Sequence, residues 1–321
     1  MLPSGAFVAS SHAMIPSAGQ QIGSVVLQQV LATGGMGCIW VAEHTLLQRQ
    51  VAVKFLPTGE MHAAAALRLE HEGRTMAQIR SPYVPEIFEY GCSADGSPFV
   101  VMELLAGAHL GAWVERYGRL DVEEVAQVLE QVGLALTAAH EIGVVHRDVK
   151  PENVILNGRR HNFTAKLIDF GIAKSADSSR KSVPLTLVGF TIGSTGYMSP
   201  EQLEGSPDVD GRSDIWSLAV VAYRCLTGRL PFEAPTFDAT SIAVNRGHFR
   251  PVSELRSELS PSLDRWFDKA LAPDVAHRIQ ETSVMGRMFR VAAFSDPNQV
   301  LSARGRLQVR SSRVTAAAAG G

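Results

Sequence analysis

The sequence has few of the features that mark secreted or membrane-spanning proteins. Its three cysteines, Cys38, Cys92 and Cys225, are scattered and odd in number, so they predict neither a disulfide framework nor a zinc site. No lysine or arginine precedes Arg49, so the positive flank of a secretory signal peptide is missing. The longest apolar stretch, residues 215–223, is far shorter than the roughly 20 residues that cross a bilayer.

An excess of charge of either sign is also missing. The chain has 30 Lys and Arg against 32 Asp and Glu, a formal net charge of −2, so no global field favours nucleic acid as a partner. Its 321 residues suffice for one large domain or two lobes with a sizeable core. We therefore expect a soluble, cytoplasmic protein with no membrane span and no nucleic-acid partner.

One polar run lies between apolar stretches in the middle of the chain. Residues 146–153 read HRDVKPEN and offer a carboxylate, an ammonium and a carboxamide at Asp148, Lys150 and Asn153. A second apolar stretch, ending at Ile168, leads directly into the tripeptide DFG. Polar side chains at the ends of strands rooted in a core are typical of rigid functional sites.

These two motifs resemble the catalytic loop and the magnesium motif of eukaryotic-type serine/threonine protein kinases, of a bacterial kind. The alternative, a polar loop between two core strands, explains less, because eight consecutive residues match and DFG follows at kinase-like spacing. The resemblance covers roughly residues 22–291. It implies an α+β, bilobal protein kinase-like fold, with a small β-rich N-lobe carrying one main helix and a larger, mostly α-helical C-lobe.

The resemblance also sets the expected boundaries. Residues 1–21 are rich in Ser, Ala, Gly and Pro and predict a disordered lead. The N-lobe is expected over 22–103 and the C-lobe over 104–292. Residues 293–321 form a tail that is basic and then rich in alanine, for which a solvated tail is favoured over a docking arm for an acidic partner.

The expected nucleotide site begins with a strand, a glycine turn and a second strand. Glycines let backbone N–H groups approach phosphate oxygens closely, although Ala32 replaces the first glycine of the kinase pattern. The resemblance implies ATP as cofactor. Lys54 would hold the α- and β-phosphates, and Glu72, in a helix predicted over 63–79, would orient Lys54. The implied nucleotide-binding set is Leu31, Gly34, Gly37, Ile39, Ala52, Lys54, Met102, Glu103, Leu105, Ile155 and Asp169.

The resemblance assigns the chemistry as well. Asp148 would accept the proton of the substrate hydroxyl, and Lys150 would neutralise the γ-phosphate. Asn153 and Asp169 would ligate Mg²⁺, which prefers oxygen ligands. A lysine two residues after the aspartate is the family's mark of serine/threonine specificity, so the expected substrates are serine and threonine hydroxyls of proteins.

Residues 175–195 resemble an activation segment, and self-phosphorylation is expected there. Phe190 stands where many relatives have a phosphorylatable threonine, which leaves Thr186, Thr191, Ser194 and Thr195 as candidates. The segment closes with the tripeptide SPE. Its Glu201 is expected to form a buried pair with Arg278, and Asp214 to hold the catalytic-loop backbone.

Two other functions remain open. Ala32, Phe190 and Val275, which replaces a proline usual in its turn, are compatible with a non-catalytic, nucleotide-binding scaffold. A small-molecule phosphotransferase of related fold is the third possibility, but such enzymes lack the SPE closure and the DIWS helix start at residues 214–217. Every catalytic role has an occupant of the right type, which favours an active protein kinase.

Overall fold

A computed structural model describes residues 16–34, 37–55, 77–94, 96–170 and 192–294. These residues divide into two compact units. The sheet unit contains the described residues up to 78 and residues 85–105, and the helical unit contains 79–84, 106–170 and 192–294. None of the described helices is both long enough and apolar enough to cross a membrane.

The sheet unit contains a six-stranded antiparallel sheet. Its strands lie in the order β1-β2-β3-β4-β6-β5. One face of the sheet carries a cluster of buried aliphatic and aromatic side chains. Because successive residues of a strand point to opposite faces, the other face carries a different set. The strands are β1 (Gln21–Ile22), β2 (Val25–Gly34), β3 (Gly37–His44), β4 (Arg49–Phe55), β5 (Ile87–Cys92) and β6 (Pro98–Glu103).

The ordered structure begins earlier than the sequence suggested. The Gly19 N–H donates to the Leu27 carbonyl at 2.7 Å, and the Leu27 N–H donates to the Gln20 carbonyl at 2.9 Å. Backbone pairing with β2 thus extends past the end of β1, so residues 16–21 belong to the fold and not to a disordered lead. The rest of that expected lead, and the tail from residue 295 onward, lie outside the described residues.

The helical unit carries a small sheet and eight described helices. Strands β7 (Ala108–His109), β8 (Val154–Arg159) and β9 (Asn162–Leu167) form the sheet in that order. Helix α2 packs against α8, α4 and β9. The helices are α1 (Leu110–Tyr117), α2 (Val122–His140), α3 (Pro200–Leu203), α4 (Gly211–Thr227), α5 (Phe237–Arg246), α6 (Val252–Leu255), α7 (Pro261–Ala270) and α8 (Thr282–Phe294).

Helix α2 has a capping residue at its start and a glycine shortly after its end. Asp121 is its N-cap residue, and the Asp121 N–H donates to Glu124 Oε2 at 3.0 Å, one half of a capping box. The helix ends at His140, three residues before Gly143. Gly143 has a φ of +78°, a left-handed conformation that ends a helix readily and that glycine adopts without strain.

Glycines allow α2 and α8 to cross closely. A Cβ on Gly286 would lie 2.4 Å from Glu130 Cγ, and a Cβ on Gly133 would lie 2.7 Å from the Thr282 carbonyl oxygen. Both distances are shorter than real Cβ contacts, so a larger residue at either position would push the helices apart. This crossing holds α2, the helix that precedes the polar loop in the chain, against α8.

Two glutamines of α2 bond to β9, an edge strand of the small sheet. Gln127 Nε2 donates to the Phe163 carbonyl at 2.6 Å, and the Ala165 N–H donates to Gln131 Oε1 at 2.5 Å. The two glutamines are four residues apart and therefore share one helix face. They satisfy backbone groups on the strand that runs directly toward Asp169.

Candidate active site

The polar loop, residues 146–153, has an irregular backbone that ends in a 3₁₀ turn, Pro151–Asn153. Arg147 has a φ of +64°, and Asp169, which follows β9, has a φ of +60°. A left-handed conformation in a residue other than glycine costs about 1–3 kcal/mol and persists only where the surroundings enforce it. Such strain is common at functional sites, and the hydrogen bonds around both residues show how it is enforced.

Asp214, in the first turn of α4, holds the loop backbone from one side. Its Oδ2 accepts from the His146 N–H at 2.9 Å, and its Oδ1 accepts from the Arg147 N–H at 2.8 Å. His140 Nε2 lies 2.8 Å from the same Oδ2. The Asp214 side chain is fully buried, so these bonds compensate its removal from water. The predicted role of Asp214 is confirmed, and His140 contributes to the loop through this aspartate.

His146 connects the loop to the residue before Asp169. The Asp148 N–H donates to His146 Nδ1 at 3.2 Å, so the ring proton is on Nε2, which donates to the Ile168 carbonyl at 2.9 Å. The ring also packs on Phe170, with centroids 4.7 Å apart. Burial lowers the pKa of His146, and the neighbouring aspartates oppose this effect only in part. A neutral imidazole thus bridges the backbone of Asp148 and Ile168.

Asp148, Lys150 and Asn153 come together at the end of the loop. Lys150 Nζ lies 3.0 Å from Asp148 Oδ2. Asn153 Nδ2 donates to the Asp148 carbonyl at 2.8 Å and to Asp148 Oδ2 at 3.2 Å. This orientation uses the NH₂ end of the carboxamide, so Asn153 Oδ1 is the end that can act as a ligand. The side chains of these three residues are therefore in direct contact.

Asp169 is held beside this group through its neighbour. The Ile168 N–H donates to the Asn153 carbonyl at 2.9 Å, and the Ile168 carbonyl accepts from His146. Both backbone groups of Ile168 are therefore bonded to the polar loop. Because Asp169 is the next residue, its carboxylate and the Asn153 carboxamide start from adjacent backbone, as a shared cation would require.

The sheet unit carries several of the predicted nucleotide-binding residues on one face. Ile39 of β3 pairs with Lys54 of β4, and Ala52 of β4 pairs with Met102 of β6. Opposed residues of antiparallel strands share a face, as do residues two apart on one strand. Val53, between Ala52 and Lys54, belongs to the core cluster on the opposite face. Lys54 is only 7% exposed, so this lysine is largely buried on that face.

The remaining predicted residues of the nucleotide site are spread over both units. Gly34 and Gly37 pair at the end of the β2–β3 hairpin, and Leu31 of β2 is exposed. The Glu103 N–H donates to the Glu86 carbonyl at 2.8 Å, so a base contact from Glu103 would have to use its carbonyl. Leu105 follows β6 and is half-buried. Ile155 lies in β8 of the helical unit and is also half-buried.

Some residues for which the sequence predicts a role lie outside the described part of the chain. Glu72 and nearly all of the predicted helix 63–79 are among them, and the described end of that helix, Ala77 and Gln78, forms a turn. The Lys54–Glu72 pair therefore stays a prediction. Residues 171–191 are also outside, and they include Thr186, Phe190 and Thr191.

The predicted pair of Glu201 and Arg278 is confirmed. Arg278 Nη1 lies 2.8 Å from Glu201 Oε1, and its Nη2 lies 3.1 Å from Oε2. Ser213 Oγ donates to Glu201 Oε1 at 2.5 Å, and the guanidinium lies over the Trp216 ring. Burial would raise the pKa of Glu201, but the hydrogen bonds from Arg278 and Ser213 outweigh it and lower that pKa. The pair ties the start of α3 to the chain before α8.

Gln202 makes a contact that the sequence does not predict. Gln202 Nε2 donates to the Arg147 carbonyl at 2.9 Å, and its Oε1 accepts from the Ser199 N–H at 3.1 Å. The spacing of Ser199 and Gln202 is that of a capping box, so the Ser199 contact was visible in the sequence. The contact with Arg147 joins residues 55 positions apart, and no local pattern signals it.

A second group of potential metal ligands lies at the start of α2. The ligand atoms of Asp121, Glu124 and His161 are all within 4.8 Å of one another. However, Arg160 Nη2 lies 2.5 Å from Glu124 Oε2 and 3.3 Å from Asp121 Oδ2. A guanidinium already pairs with both carboxylates, so we assign no metal to this group.

The site and fold together define a class of protein, those with a protein kinase-like domain. A model of the protein kinase domain matches residues 25–289. The serine/threonine-protein kinase Pkn1 of Myxococcus xanthus is 37% identical over 283 residues, which are 88% of this chain and 40% of that protein. PknH of Mycobacterium tuberculosis is 34% identical over 294 residues, 90% of this chain and 45% of that kinase.

A solved structure is similar as well. The crystal structure of the Mycobacterium tuberculosis PknI kinase domain matches with a TM-score of 0.67 and 25% identity, over 87% of this chain and all of that one. The chain belongs to the protein kinase family, and the predicted bacterial, serine/threonine-type kinase fold is confirmed. The chain spans less than half the length of the curated relatives named above.

Proposed function

We propose that this chain transfers the γ-phosphate of ATP to serine or threonine hydroxyls of proteins. The observation that carries the proposal is the grouping of Asp148, Lys150 and Asn153, with Lys150 Nζ 3.0 Å from Asp148 Oδ2. Phosphoryl transfer asks the protein mainly for positioning and for stabilisation of charge. A fixed carboxylate beside an ammonium supplies both.

In the proposed reaction the substrate hydroxyl forms a bond to the γ-phosphorus while the bond from that phosphorus to ADP breaks. The hydroxyl proton passes to Asp148, which also aims the attacking oxygen. Lys150 stabilises the negative charge of the transferring phosphoryl group. Family membership supports these roles, and it also supports serine/threonine preference, because the relatives named above are serine/threonine-protein kinases.

Magnesium and nucleotide sites complete the proposal. Asn153 and Asp169 would hold Mg²⁺, and the orientation of the Asn153 carboxamide fits, because its NH₂ end bonds to Asp148 and its oxygen is the ligand end. When bound, Mg²⁺ neutralises phosphate charge. Lys54 would bind the α- and β-phosphates and be oriented by Glu72. The proposed contacts to the rest of the nucleotide are Leu31, Gly34, Gly37, Ile39, Ala52, Met102, Glu103, Leu105 and Ile155.

Protein substrates are the proposed partners, and self-phosphorylation on residues 175–195 is part of the proposal. We place the activity in the cytoplasm, because ATP is supplied there. A protein hydroxyl, rather than the hydroxyl of a small molecule, is favoured as the acceptor, because the chain has both the Ser199–Glu201 closure and Asp214 in the first turn of α4.

The test is a phosphorylation assay on the purified chain with Mg²⁺-ATP and casein, with Asp148→Asn as the inactive variant. Loss of the acceptor carboxylate should lower the rate by about 100-fold or more without changing thermal stability. Asp238→Asn, an equivalent change at an exposed position of α5, is the matched control and should leave the rate unchanged. Phosphoserine and phosphothreonine in the products would support the proposal. Absence of transfer with ATP still bound would identify a scaffold instead.

A further inference from the structure

The peptide group between Arg147 and Asp148 is held at both of its polar ends. Its carbonyl, on Arg147, accepts from Gln202 Nε2 at 2.9 Å. Its N–H, on Asp148, donates to His146 Nδ1 at 3.2 Å. The preceding peptide donates its own N–H to Asp214. Asp148 therefore starts from a peptide plane whose rotation is opposed from two directions.

Gln202 makes this contact from a rigid position. It is at the third position of α3, where its Oε1 accepts from the Ser199 N–H at 3.1 Å and from Ser199 Oγ at 3.2 Å. These two bonds fix the plane of the carboxamide and leave its NH₂ group directed at Arg147. The adjacent Glu201 is tied to Arg278, so the helix that carries Gln202 is anchored as well.

Because the backbone of Arg147 is strained, the hydrogen bond from Gln202 to its carbonyl matters for the loop conformation. Its φ of +64° is an unfavourable backbone conformation, which the surrounding hydrogen bonds must maintain. If the bond to its carbonyl were lost, the peptide could rotate, and the Asp148 carboxylate would move with it. A displacement of about 1 Å in a catalytic group can lower a rate by about 100-fold.

We infer that Gln202 is a positioning residue, which fixes Asp148 for phosphoryl transfer through the Arg147 carbonyl. This inference rests on the proposed function. It assigns Gln202 a role separate from capping α3, although one side chain does both. The two roles use opposite ends of the carboxamide, which makes them separable by substitution.

The decisive variant is Gln202→Glu. A carboxylate oxygen still accepts from Ser199, as in the usual form of a capping box, so α3 keeps its cap. The second oxygen is an acceptor and faces the Arg147 carbonyl, so the donor is lost. We expect kcat to fall by about 10- to 100-fold, while KM for ATP and the melting temperature stay close to those of the wild type.

A control separates positioning from general destabilisation. Ser260→Ala removes the N-cap of α7, where Ser260 Oγ accepts from the Ser262 N–H at 3.2 Å. This variant should lower the melting temperature and leave kcat unchanged. If Gln202 only capped α3, Gln202→Glu would keep the cap, and its kcat would match that of the wild type.

Amide hydrogen exchange gives a readout that does not need activity. In Gln202→Glu, exchange of the Asp148 N–H should be faster than in the wild type, because the loop peptide is less constrained. If the wild type transferred no phosphate, the proposed function would fail, and exchange would still decide the role of Gln202. Wild-type kcat together with wild-type exchange in Gln202→Glu would overturn the inference.

Discussion

At the scale of single residues, His146 shows how one buried side chain organises the polar loop. It is completely buried, and each ring nitrogen has a backbone partner, the Asp148 N–H and the Ile168 carbonyl. An imidazolium carries protons on both nitrogens, so protonation would turn the Nδ1 acceptor into a donor facing another donor. The neutral form is therefore the one that fits this loop.

This arrangement predicts a pH dependence of stability. The pKa of His146 is lowered from 6.5 in the folded protein, mainly by burial. Below about pH 6.5 the unfolded chain then binds more protons than the folded one. The contribution of His146 to stability is therefore complete above about pH 6.5 and decreases as the pH falls. The free energy of unfolding in urea, measured from pH 8 to 5, should decrease more steeply for the wild type than for His146→Gln. Equal slopes would contradict this assignment.

At the scale of elements, the Glu201–Arg278 pair joins α3 to the segment that precedes α8. The Arg278 side chain is fully buried, and its Nη1 also donates to the Arg212 carbonyl at 2.7 Å. The sequence motif predicted the pair itself. It did not predict the backbone carbonyl and the Trp216 ring that complete the environment of the guanidinium, because these contacts depend on how α4 packs.

Removing one partner of this pair should destabilise the helical unit strongly. Arg278→Met leaves the Glu201 carboxylate largely buried without its counter-charge, so we expect a loss of about 3–5 kcal/mol in the free energy of unfolding. Denaturation in urea measures it. Arg250→Met is the matched control, since Arg250 pairs with Glu254 on an exposed surface, and its loss should be within about 1 kcal/mol.

A double variant tests whether the two charges act together. In Glu201→Gln combined with Arg278→Met neither charge remains, so the loss should be smaller than the sum of the two single losses. Strict additivity would show that Arg278 stabilises the unit through its carbonyl and aromatic contacts rather than through Glu201.

At the scale of the whole molecule, ligand binding should raise thermal stability. A ligand that binds only the folded state stabilises it by about 2.7 kcal/mol at 100 times its Kd. Mg²⁺-ATP should therefore raise the melting temperature of the wild type by several degrees, and by more than ATP alone. Differential scanning fluorimetry with and without Mg²⁺ measures the two increments.

Asp169→Asn should remove the magnesium-dependent increment and keep the increment from ATP alone. Asparagine tolerates the left-handed conformation that Asp169 adopts, so the backbone should be preserved. Asp238→Asn should behave as the wild type. If magnesium still raised the melting temperature of Asp169→Asn as much as that of the wild type, Asp169 would not be a magnesium ligand.

The sequence by itself determined which side chains form the proposed catalytic group, because residues in one short loop are adjacent in the chain. Asp148, Lys150 and Asn153 share a local backbone, and their proximity followed from their spacing. The tertiary structure decided what holds them. The Gln202 contact with Arg147 and the glutamines that support β9 join residues 34 to 55 positions apart. Such contacts arise only when helices pack, and packing depends on the whole chain.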